Sequence, residues 1–575
     1  MEKSYLNKIV SKFLSRVNTV REVHLKKNAI ENLFDNYEMH DEEEKRILVW
    51  TAPGGMAPII EIDSIIATAL RLRNAKLRFL LCDGAPVACI MREIDINDKP
   101  ATWKDYCKFC FKSAQQRLKP FGLQYYRIGE FLNNYSQQFI HKLVDDIQIN
   151  DLENFYYENV DIGRLAIAST LRYSKGKQLD NYDDILRRYI FSGLVNLNAA
   201  KHAIDAFSPD YLLMSHGTYV DWGVAFKYGL LRNIPSVIWN SAYEKNHFFF
   251  RHETKDFAKH RIERIGCNSW KINSATPLAR KERFELFEYI KKRYNSNEIR
   301  TNTKDSRLIV KASSEIKAEV KQFDTLLLPP PMYSPSELRK KLNIDNNKPT
   351  WALFTHVLWE GVYNYGPIMF KDETSWLLQT MEAMQRVEDV NWLIRIHPGE
   401  MQYPGSKSAL ETIQKSYPRL PDQIKIITPD QNINTLDILH LINGGITIFG
   451  TVGLELAIQG KPVILCGKGF YGNKGFTYDC NNEHEFSNLL RKVGRLPPLS
   501  EEQVQLARKY AHVFFLKSQL PIPCLKGKSE RFGWSLDIDK VDLLKPNGNH
   551  CIDLICRAIL ERNDFILDDA TKCSL

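Results

Sequence analysis

Short apolar runs alternate with helical patterns along most of the chain, and this alternation predicts a parallel α/β architecture. Residues 46–50 are an apolar run, followed by the loop T-A-P-G-G-M-A-P and by a helical pattern over about 59–74. Strands separated by helices are typical of β-α-β units, which place their strands in a parallel sheet. The other predicted strands are 77–82, 211–215, 236–239, 351–355, 392–396, 445–449 and 462–466. The pattern therefore predicts two Rossmann-like α/β domains with extra helical segments.

The same patterning divides the chain into five segments. We predict an amphipathic helical segment at 1–45, an amino-terminal α/β domain at 46–260, a helical connector at 261–345, a carboxyl-terminal α/β domain at 346–500 and a helical tail at 501–575. The connector carries a proline triplet after charged helical sequence, which is typical of a link between domains. The first segment has one apolar face and a basic remainder. Such a helix docks on the protein body, the reading we favour, or lies on an anionic membrane.

Composition is that of a multidomain globular protein. The chain has 575 residues, of which 44% are hydrophobic and 26% charged, and this length is too great for one core. The formal net charge of +9 suits anionic substrates but does not indicate nucleic acid. No apolar run is long and continuous enough for a transmembrane helix, and basic residues interrupt any signal-peptide core. We therefore expect a cytoplasmic protein, peripheral on the inner membrane if it meets a membrane, with its eleven cysteines mostly reduced.

The end of the predicted strand 392–396 carries the first candidate ligand-binding side chains. The sequence L-I-R-I-H-P-G-E brings Arg395, His397 and Pro398 to the carboxyl edge of the sheet. In an open parallel sheet, ligands bind just outside this edge. A histidine or arginine there stabilises negative charge that develops on a leaving phosphate. Arg395 shares a face with His397 only if the strand stays regular to its end.

A glycine-rich turn follows the predicted strand 445–449. In the sequence I-T-I-F-G-T-V-G-L-E, the residues Gly450, Thr451, Gly453 and Glu455 lie at the start of a helix. The glycines permit close backbone approach, and amide groups at a helix start are available to phosphate. Thr451 is suited both to cap the helix and to bind a phosphate oxygen. Together the two turns predict an anion site for a nucleotide-activated substrate.

The H-P pair and the G-T-x-G-x-E-x-x-x-x-G-K-P-V element resemble the bacterial capsule polysaccharide synthesis family of glycosyltransferases, which includes enzymes resembling the Kdo transferases. The resemblance covers roughly residues 350–478 well and the amino-terminal half more loosely. It implies a GT-B fold, in which two Rossmann-like domains face a cleft. It also implies that His397 contacts the nucleotide phosphate, because the family's HP histidine does so. In many GT-B enzymes an acid near the position of Glu455 binds the ribose; the alternative for Glu455 is a solvated side chain beside a helix cap.

The segment T-H-V-L-W-E-G, 355–361, follows the first predicted strand of the second domain. Glu360 stands where the family usually carries aspartate, and His356 where it carries asparagine. Glu360 is a candidate to act on the acceptor or to hold the sugar, and a solvated loop carboxylate is the alternative. The departure from the family pattern leaves the role of His356 open.

The segment S-H-G-T-Y-V-D-W-G, 215–223, supplies candidates from the first domain. His216 and Asp221 lie at the end of a predicted strand and at the start of a helix. An inverting transferase needs one base to deprotonate the acceptor hydroxyl, and a positioned histidine or carboxylate supplies it. Tyr219 and Trp222 are candidates for stacking on sugar rings. The alternative is a helix cap by Asp221 and ordinary core packing of Trp222.

Four cysteines are candidate zinc ligands. Cys82, Cys89, Cys107 and Cys110 include one C-x-x-C pair, but six residues separate the first two, more than zinc pairs usually have. Buried, reduced thiols are the interpretation we favour. We expect no cofactor, because GT-B transferases offset the charge of the leaving phosphate with basic groups and helix dipoles instead of a metal.

The resemblance implies a metal-independent glycosyltransferase. Its partners would be a nucleotide-sugar donor and a surface polysaccharide or lipid-linked glycan acceptor, with the inner-membrane surface as a further contact. Three alternatives stay open: a polyol-phosphate transferase of the teichoic-acid type, a nucleotide-sugar 2-epimerase, and a non-catalytic component of a polysaccharide export complex. Fold-level analogy alone does not separate an enzyme from such a component.

Overall fold

The computed structural model of the protein describes residues 22–35, 44–51, 53–96, 99–255, 265, 267–295, 328–361, 363, 369–467, 469–527 and 534–567. Residues 22–35 form a helix, α1. Residues 1–21, which carry the apolar face of the predicted amphipathic helix, lie outside the described residues. Within the described ranges, no helix combines the length and the apolar character needed to cross a membrane.

Seven strands form the first sheet, in the spatial order β13-β6-β5-β4-β1-β2-β3. The five strands β1 to β5 pair in parallel, whereas β6 pairs antiparallel with both β5 and β13. The bounds are β1 Arg46–Trp50, β2 Lys76–Leu81, β3 Tyr125–Arg127, β4 Tyr211–Ser215, β5 Ser236–Ser241, β6 His247–Glu253 and β13 Leu520–Pro521. The parallel part of this sheet agrees with the predicted α/β class.

Six further helices belong to this half of the chain. The longest, α6, is almost entirely buried along one face and packs against α5 and α7. Their bounds are α2 Ala57–Arg71, α3 Trp103–Leu118, α4 Asn134–Asp146, α5 Ile162–Ser174, α6 Tyr182–Phe207 and α7 Val224–Leu231. Helices on the faces of a parallel sheet bury it on both sides, which explains the continuous apolar sequence of β1 and β4.

Six strands form the second sheet, in the order β12-β11-β10-β7-β8-β9, and every pairing is parallel. Together with the first sheet it confirms the predicted fold class of two α/β sheets with added helices. The strands are β7 Thr350–Phe354, β8 Asn391–Arg395, β9 Ile424–Ile427, β10 Gly444–Thr447, β11 Val463–Leu465 and β12 Tyr478–Asp479.

Helices of the connector and of the second domain surround this sheet. In the connector they are α8 Cys267–Ser274, α9 Arg280–Asn295 and α10 Pro335–Leu342. In the second domain they are α11 Glu373–Gln385, α12 Ala409–Ser416, α13 Thr435–Leu441, α14 Thr451–Ala457 and α15 Glu483–Leu490. Local sequence sets several of their starts. The asparagine Asn434 accepts the amide of Asp437 at 2.7 Å, and the Asp437 carboxylate accepts the Asn434 amide in return, so α13 begins with a capping box.

The tail returns to the first domain and is less helical than the sequence predicts. It contains α16 Glu501–His512, a π-helical turn at Val513–Lys517, the strand β13, a small hairpin and α17. The hairpin strands are β14 Leu525–Gly527 and β15 Trp534–Leu536, and α17 spans His550–Glu561. The predicted helical tail thus also contains short strands, which its sequence did not reveal because two- and three-residue strands are too short to show an alternating pattern.

The Gly54-Gly55 turn after β1 lies under helix α3. A Cβ atom on Gly54 would lie 1.8 Å from the Cys110 carbonyl oxygen, so α3 packs directly over this turn. The Gly55 amide donates to the Cys110 Sγ atom at 2.9 Å. Gly54 is therefore required by the close approach of a helix.

We predict that the tail helix α17 stabilises the amino-terminal domain. Ile555 is 2% exposed and lies in the same core cluster as β1 and β4. The substitution Ile555→Ala should lower the free energy of unfolding by about 2–5 kcal/mol, through lost burial and a residual cavity. Urea denaturation measures this, with Arg557→Ala at an exposed position of the same helix as the control. An unchanged unfolding midpoint for Ile555→Ala would show that α17 is not part of this core.

Candidate functional site

The second sheet has one point at which its strand order reverses, between β7 and β10. From β7 the chain proceeds outward to β8 and β9, then returns to place β10 on the other side of β7. The loops that follow β7 and β10 leave the sheet toward opposite sides and open a crevice at its carboxyl edge. In open α/β sheets, ligands bind in this crevice. His356 follows β7 and the glycine turn follows β10, so both border this crevice.

A chain of hydrogen bonds joins the two borders of the crevice. The His356 Nε2 atom lies 3.2 Å from the Thr447 hydroxyl, and the same hydroxyl accepts the Gly450 amide at 3.2 Å. The rings of His356 and His397 are nearly parallel, with centroids 6.5 Å apart. The H-P pair and the glycine turn, which are 53 residues apart in sequence from His397 to Gly450, therefore share one site.

His397 has a defined tautomer in this site. Its Nδ1 atom accepts the Gly399 amide at 3.0 Å, and its own amide donates to the Thr355 hydroxyl at 2.9 Å. Because Nδ1 is an acceptor, a neutral His397 ring carries its proton on Nε2. Burial, and secondarily the charge of Arg395, lowers the pKa of His397 to about 4. The ring is thus a neutral N–H donor at neutral pH.

His356 is neutral for the same physical reason. Burial, followed by the proximity of His397, lowers its pKa to about 3. The ring also packs against Phe449, with centroids 5.0 Å apart. The sequence left the role of His356 open, and the structure places it centrally in the crevice.

Arg395 lies behind the histidine pair. Its side chain is 4% exposed, and Nη1 donates to the Thr428 carbonyl at the end of β9, at 3.1 Å. Its positive charge is close enough to depress the pKa of His397. Arg395 therefore contributes positive potential to the site from a buried position, while Pro398 begins the short helical turn Pro398–Gln402 that follows His397.

Tyr471 hydrogen-bonds to the glycine turn and packs against it. The Tyr471 hydroxyl donates to the Gly450 carbonyl at 2.6 Å, and a Cβ atom on Gly453 would lie 2.1 Å from that hydroxyl oxygen. Gly453 is thus needed for close packing against Tyr471, a reason different from the ligand approach expected from the sequence. Thr451 is the first residue of α14, so its amide is one of those without an intrahelical acceptor.

Glu455 does not face the crevice as a ribose-binding acid would. It is 3% exposed, and one carboxylate oxygen accepts the Arg293 Nε–H at 3.0 Å. The other oxygen accepts the Tyr294 hydroxyl. Because both oxygens are engaged by the connector helix α9, this geometry argues against the predicted ribose contact.

In the first domain, Asp221 is a buried carboxylate at the reversal of strand order between β1 and β4. Its Oδ2 atom accepts the Ile90 amide at 3.0 Å, and its carbonyl accepts the Trp50 indole N–H at 2.6 Å. Burial raises its pKa to about 7, although the amide of Ile90 and the charge of Arg172 oppose this. The carboxylate caps no helix, which excludes the alternative interpretation of Asp221.

The neighbours of Asp221 divide into pocket-lining and core residues. Tyr219 and Asp221 line a narrow gap between side chains, together with Ile90, Arg92, Ser169, Arg172, Tyr173 and Tyr189. Trp222 is 1% exposed and packs in the core against the ring of His216, at 5.4 Å. The prediction that Trp222 stacks on a sugar is wrong because no ring face is accessible. His216 is half-buried and adopts a left-handed backbone conformation with φ of 58°.

Arg172, at the end of α5, connects the two halves electrostatically. Burial lowers its pKa, but the oxygens of Tyr219, Glu93, Tyr189 and Glu360 more than offset this and raise it. Tyr219 belongs to the first domain, and Glu360 is an exposed residue of the loop that follows β7. Glu360 is therefore close enough to Arg172 to interact with it electrostatically.

The two domains meet closely beside this arginine. Gly176 has φ of 69°, and a Cβ atom there would lie 2.6 Å from Cβ of Lys407 and 3.0 Å from Cβ of Trp359. The Lys407 amide donates to the Lys175 carbonyl at 3.0 Å. Gly176 thus permits a backbone contact between domains at the rim of the cleft.

The four candidate zinc ligands converge without forming a metal site. Cys82, Cys89, Cys107 and Cys110 interact electrostatically, and burial raises the pKa of Cys82, Cys89 and Cys110. The Cys107 Sγ atom accepts an N–H of Arg92 at 3.1 Å. In the part of the chain that the structure describes, no group of three or more histidine, cysteine or acidic side chains is arranged to hold a metal ion.

Sequence reasoning missed Thr447, Arg172 and Arg293. Thr447 lies inside a strand whose apolar pattern gave no reason to select one hydroxyl. Arg172 and Arg293 lie near the carboxyl ends of helices, where basic residues are ordinarily solvated. Only the position of these helices against the two sheets distinguishes them.

Comparison with known families supports the resemblance inferred from the motifs. Residues 370–496 match the family model described as "Capsule polysaccharide biosynthesis protein". The matched segment contains the H-P pair and the whole glycine turn. It confirms the capsule-synthesis family recognised from these motifs over that segment. No curated protein matches the chain.

Solved structures are similar to the chain only at a distant level. UDP-GlcNAc 2-epimerase from Neisseria meningitidis is 11% identical, with 80% of this chain and 94% of that chain covered and a TM-score of 0.23. KpsC from Thermosulfurimonas dismutans, "beta Kdo 2,4 transferase", is 11% identical over 58% of this chain and 87% of its own, with a TM-score of 0.29. Sucrose-phosphate synthase from Thermosynechococcus elongatus is 11% identical over 82% and 95%, with a TM-score of 0.27. Similarities at this level do not carry an assignment of activity.

We predict that the histidine pair makes the protein less stable in acid. Both folded-state pKa values lie below the ordinary value of 6.5, so the unfolded chain binds protons more readily as the pH falls. The histidine contribution to the free energy of unfolding is complete above about pH 6.5 and is lost as the pH falls toward 4. The measurement is the difference in unfolding free energy between wild type and His356→Gln/His397→Gln across this range.

The wild-type advantage over the double variant should shrink between pH 6.5 and 4. The exposed His484 on α15 provides a control substitution, His484→Gln. A difference that stays constant with pH would contradict neutral histidines in the crevice.

Proposed function

We propose that the protein is a metal-independent glycosyltransferase of capsule-type polysaccharide synthesis. The carboxyl-terminal domain would bind the nucleotide-activated sugar, and the amino-terminal domain would present a surface polysaccharide or a lipid-linked glycan acceptor. The observation that carries this proposal is the convergence of His397, His356, Thr447 and the glycine turn at the reversal of strand order in the second sheet. The match of residues 370–496 to the capsule polysaccharide biosynthesis family supports the same substrate class.

The donor phosphate is proposed to lie between His397 and the start of α14. The Nε2–H of a neutral His397 and the first amides of α14 would donate hydrogen bonds to the phosphate. These donors are uncharged, so binding does not require a charged protein group to lose its water. Arg395 adds positive potential from behind. Donors fixed in place before reaction stabilise the negative charge that develops on the leaving phosphate as the glycosidic bond breaks.

Asp221 is proposed as the base for the acceptor hydroxyl, with His216 as the second candidate. A carboxylate with a pKa of about 7 is a stronger base than an ordinary aspartate and is still largely deprotonated at slightly alkaline pH. Glu360, on the opposing loop, is proposed to hold the sugar or the acceptor near Arg172. Closure of the two domains at Gly176 would exclude water and align the acceptor hydroxyl with the anomeric carbon.

We predict that His397→Ala weakens both donor binding and turnover. Loss of one phosphate-directed hydrogen bond costs about 1.5–3 kcal/mol, or roughly a 10- to 100-fold loss in kcat/KM. Calorimetry with CMP-, UDP- and GDP-sugars identifies the donor, and release of free nucleotide in the presence of acceptor measures turnover. Turnover that is unchanged in His397→Ala would remove this residue from the site.

If a cytidylate-activated polyol phosphate is the one donor consumed among those tested, the result would favour the teichoic-acid alternative. Binding of nucleotide without any turnover would favour a non-catalytic component of polysaccharide export. Conversion of a UDP-sugar to its 2-epimer without acceptor would favour the epimerase alternative.

We predict that Asp221→Asn lowers kcat by about 10²- to 10⁴-fold, the usual contribution of a general base. The donor KM should change little, because Asp221 lies in the opposite domain from the glycine turn. In the wild type, kcat should rise with pH through about 7, as the Asp221 carboxyl loses its proton. Steady-state kinetics from pH 5.5 to 8.5 measures both effects. A variant with normal kcat, or a wild-type profile that falls through pH 7, would exclude Asp221 as the base.

A further inference from the structure

The connector helix α9 reaches the glycine turn through one buried arginine. The Arg293 side chain is 7% exposed. Its Nε donates to a Glu455 carboxylate oxygen at 3.0 Å, and its Nη2 donates to the Thr451 hydroxyl at 3.1 Å. Arg293 therefore contacts the first and the fifth residue of α14 at the same time.

Aromatic rings fix the orientation of this guanidinium. Its Cζ atom lies 4.7 Å from the ring centroid of Tyr243 and 5.4 Å from that of Phe515. Tyr243 follows β5 in the first domain, whereas Phe515 is in the tail. Since Glu455 is one helical turn beyond Thr451, the guanidinium lies along α14 with Nη2 nearer the start of the helix. The Nη1 atom is buried and has no hydrogen-bond partner among the described residues.

The arginine determines how Thr451 can hydrogen-bond. A guanidinium has only donors, so the Thr451 oxygen must accept in this contact. Its hydroxyl hydrogen is then directed to another acceptor, and the described residues place none there. The first amides of α14 also lack intrahelical acceptors. The Thr451 hydroxyl is thus a further hydrogen-bond donor on the same turn as these amides.

The arginine also controls the charge beside the turn. Glu455 lies one turn into a helix of only seven residues, so an uncompensated carboxylate there would repel an anion at the helix start. Arg293 and the hydroxyl of Tyr294 engage both Glu455 oxygens. The remaining N–H groups of Arg293 leave positive potential close to the turn.

We propose that Arg293 is a positioning residue of the donor site, which holds Thr451 as a hydrogen-bond donor to the nucleotide phosphate and neutralises Glu455. This inference rests on the proposed function, because it assumes that the glycine turn binds that phosphate. It assigns to the connector a part of the donor site that the family match at residues 370–496 does not include.

The test is a comparison of nucleotide and nucleoside binding in four variants of the full chain. Arg293→Met/Glu455→Gln removes the ion pair without leaving a buried charge, Thr451→Val removes the hydroxyl, and the triple variant combines them. Arg251→Met/Glu253→Gln is the matched control, since this pair is similarly buried in the first domain, with Nε and the carboxylate 2.5 Å apart. Calorimetry measures binding of CMP, UDP and GDP and of cytidine, uridine and guanosine.

We expect the Arg293→Met/Glu455→Gln variant to bind the preferred nucleotide about 10-fold more weakly or worse, the loss typical of one hydrogen bond to a charged group. The affinity for the nucleoside should stay at the wild-type level, because a nucleoside has no phosphate for Thr451 to bind. Thr451→Val should show a similar loss of nucleotide affinity. The loss in the triple variant should be little larger than in either parent variant, since Arg293 acts through Thr451. The control pair should bind nucleotide as the wild type does.

Two results would overturn the proposal. If Arg293→Met/Glu455→Gln keeps wild-type nucleotide affinity while Thr451→Val or His397→Ala loses it, Arg293 only balances Glu455, and the proposed donor site stands without it. If losses from the arginine and threonine changes are fully additive, the two residues act independently and the positioning role is wrong. Absence of nucleotide binding in the wild type itself would instead reject the proposed function, and this inference with it.

Discussion

The hydrogen bond between His356 and Thr447 is the interaction on which the geometry of the candidate site depends. It crosses the crevice between β7 and β10, and the same threonine hydroxyl holds the Gly450 amide. One buried hydroxyl therefore sets the spacing between the histidine pair and the glycine turn. Burial lowers the pKa of His356 to about 3, so the ring that makes this contact is neutral at neutral pH.

The site of the second domain and the region around Asp221 supply different chemical groups. The second domain presents N–H donors with the positive charge of Arg395 behind them, and Arg293 of the connector adds to this charge. The first domain presents a carboxylate, Asp221, whose pKa is raised by burial. A transfer reaction that produces negative charge on one partner and removes a proton from the other needs this division. Arg172 lies between them and interacts with oxygens from both sides.

Chain segments outside the two sheets hold the donor side in place. The connector supplies Arg293 and Tyr294, and the tail supplies Phe515 against the same guanidinium. The tail also adds β13 to the first sheet and buries α17 in the first core. The residues that contact Thr451 and Glu455 of α14, or pack on Arg293, therefore include several from segments that sequence pattern assigns to neither Rossmann-like domain.

The sequence by itself determined the fold class, most strand positions and the two turns of the donor side. Periodicity and glycine placement are local properties, so β1, β4 and β8 and the turn at Gly450 were predictable from residues a few positions apart. The same local reasoning missed the short strands of the tail and the packing of α3 over the Gly54-Gly55 turn, and it did not decide between a sugar contact and core packing for Trp222. Tertiary structure alone decided that Glu455 pairs with Arg293, that His356 faces Thr447, and that Arg172 lies between the domains. Hydrogen bonds and burial between residues more than 90 positions apart depend on how helices pack on sheets, and no spacing along one chain encodes that packing.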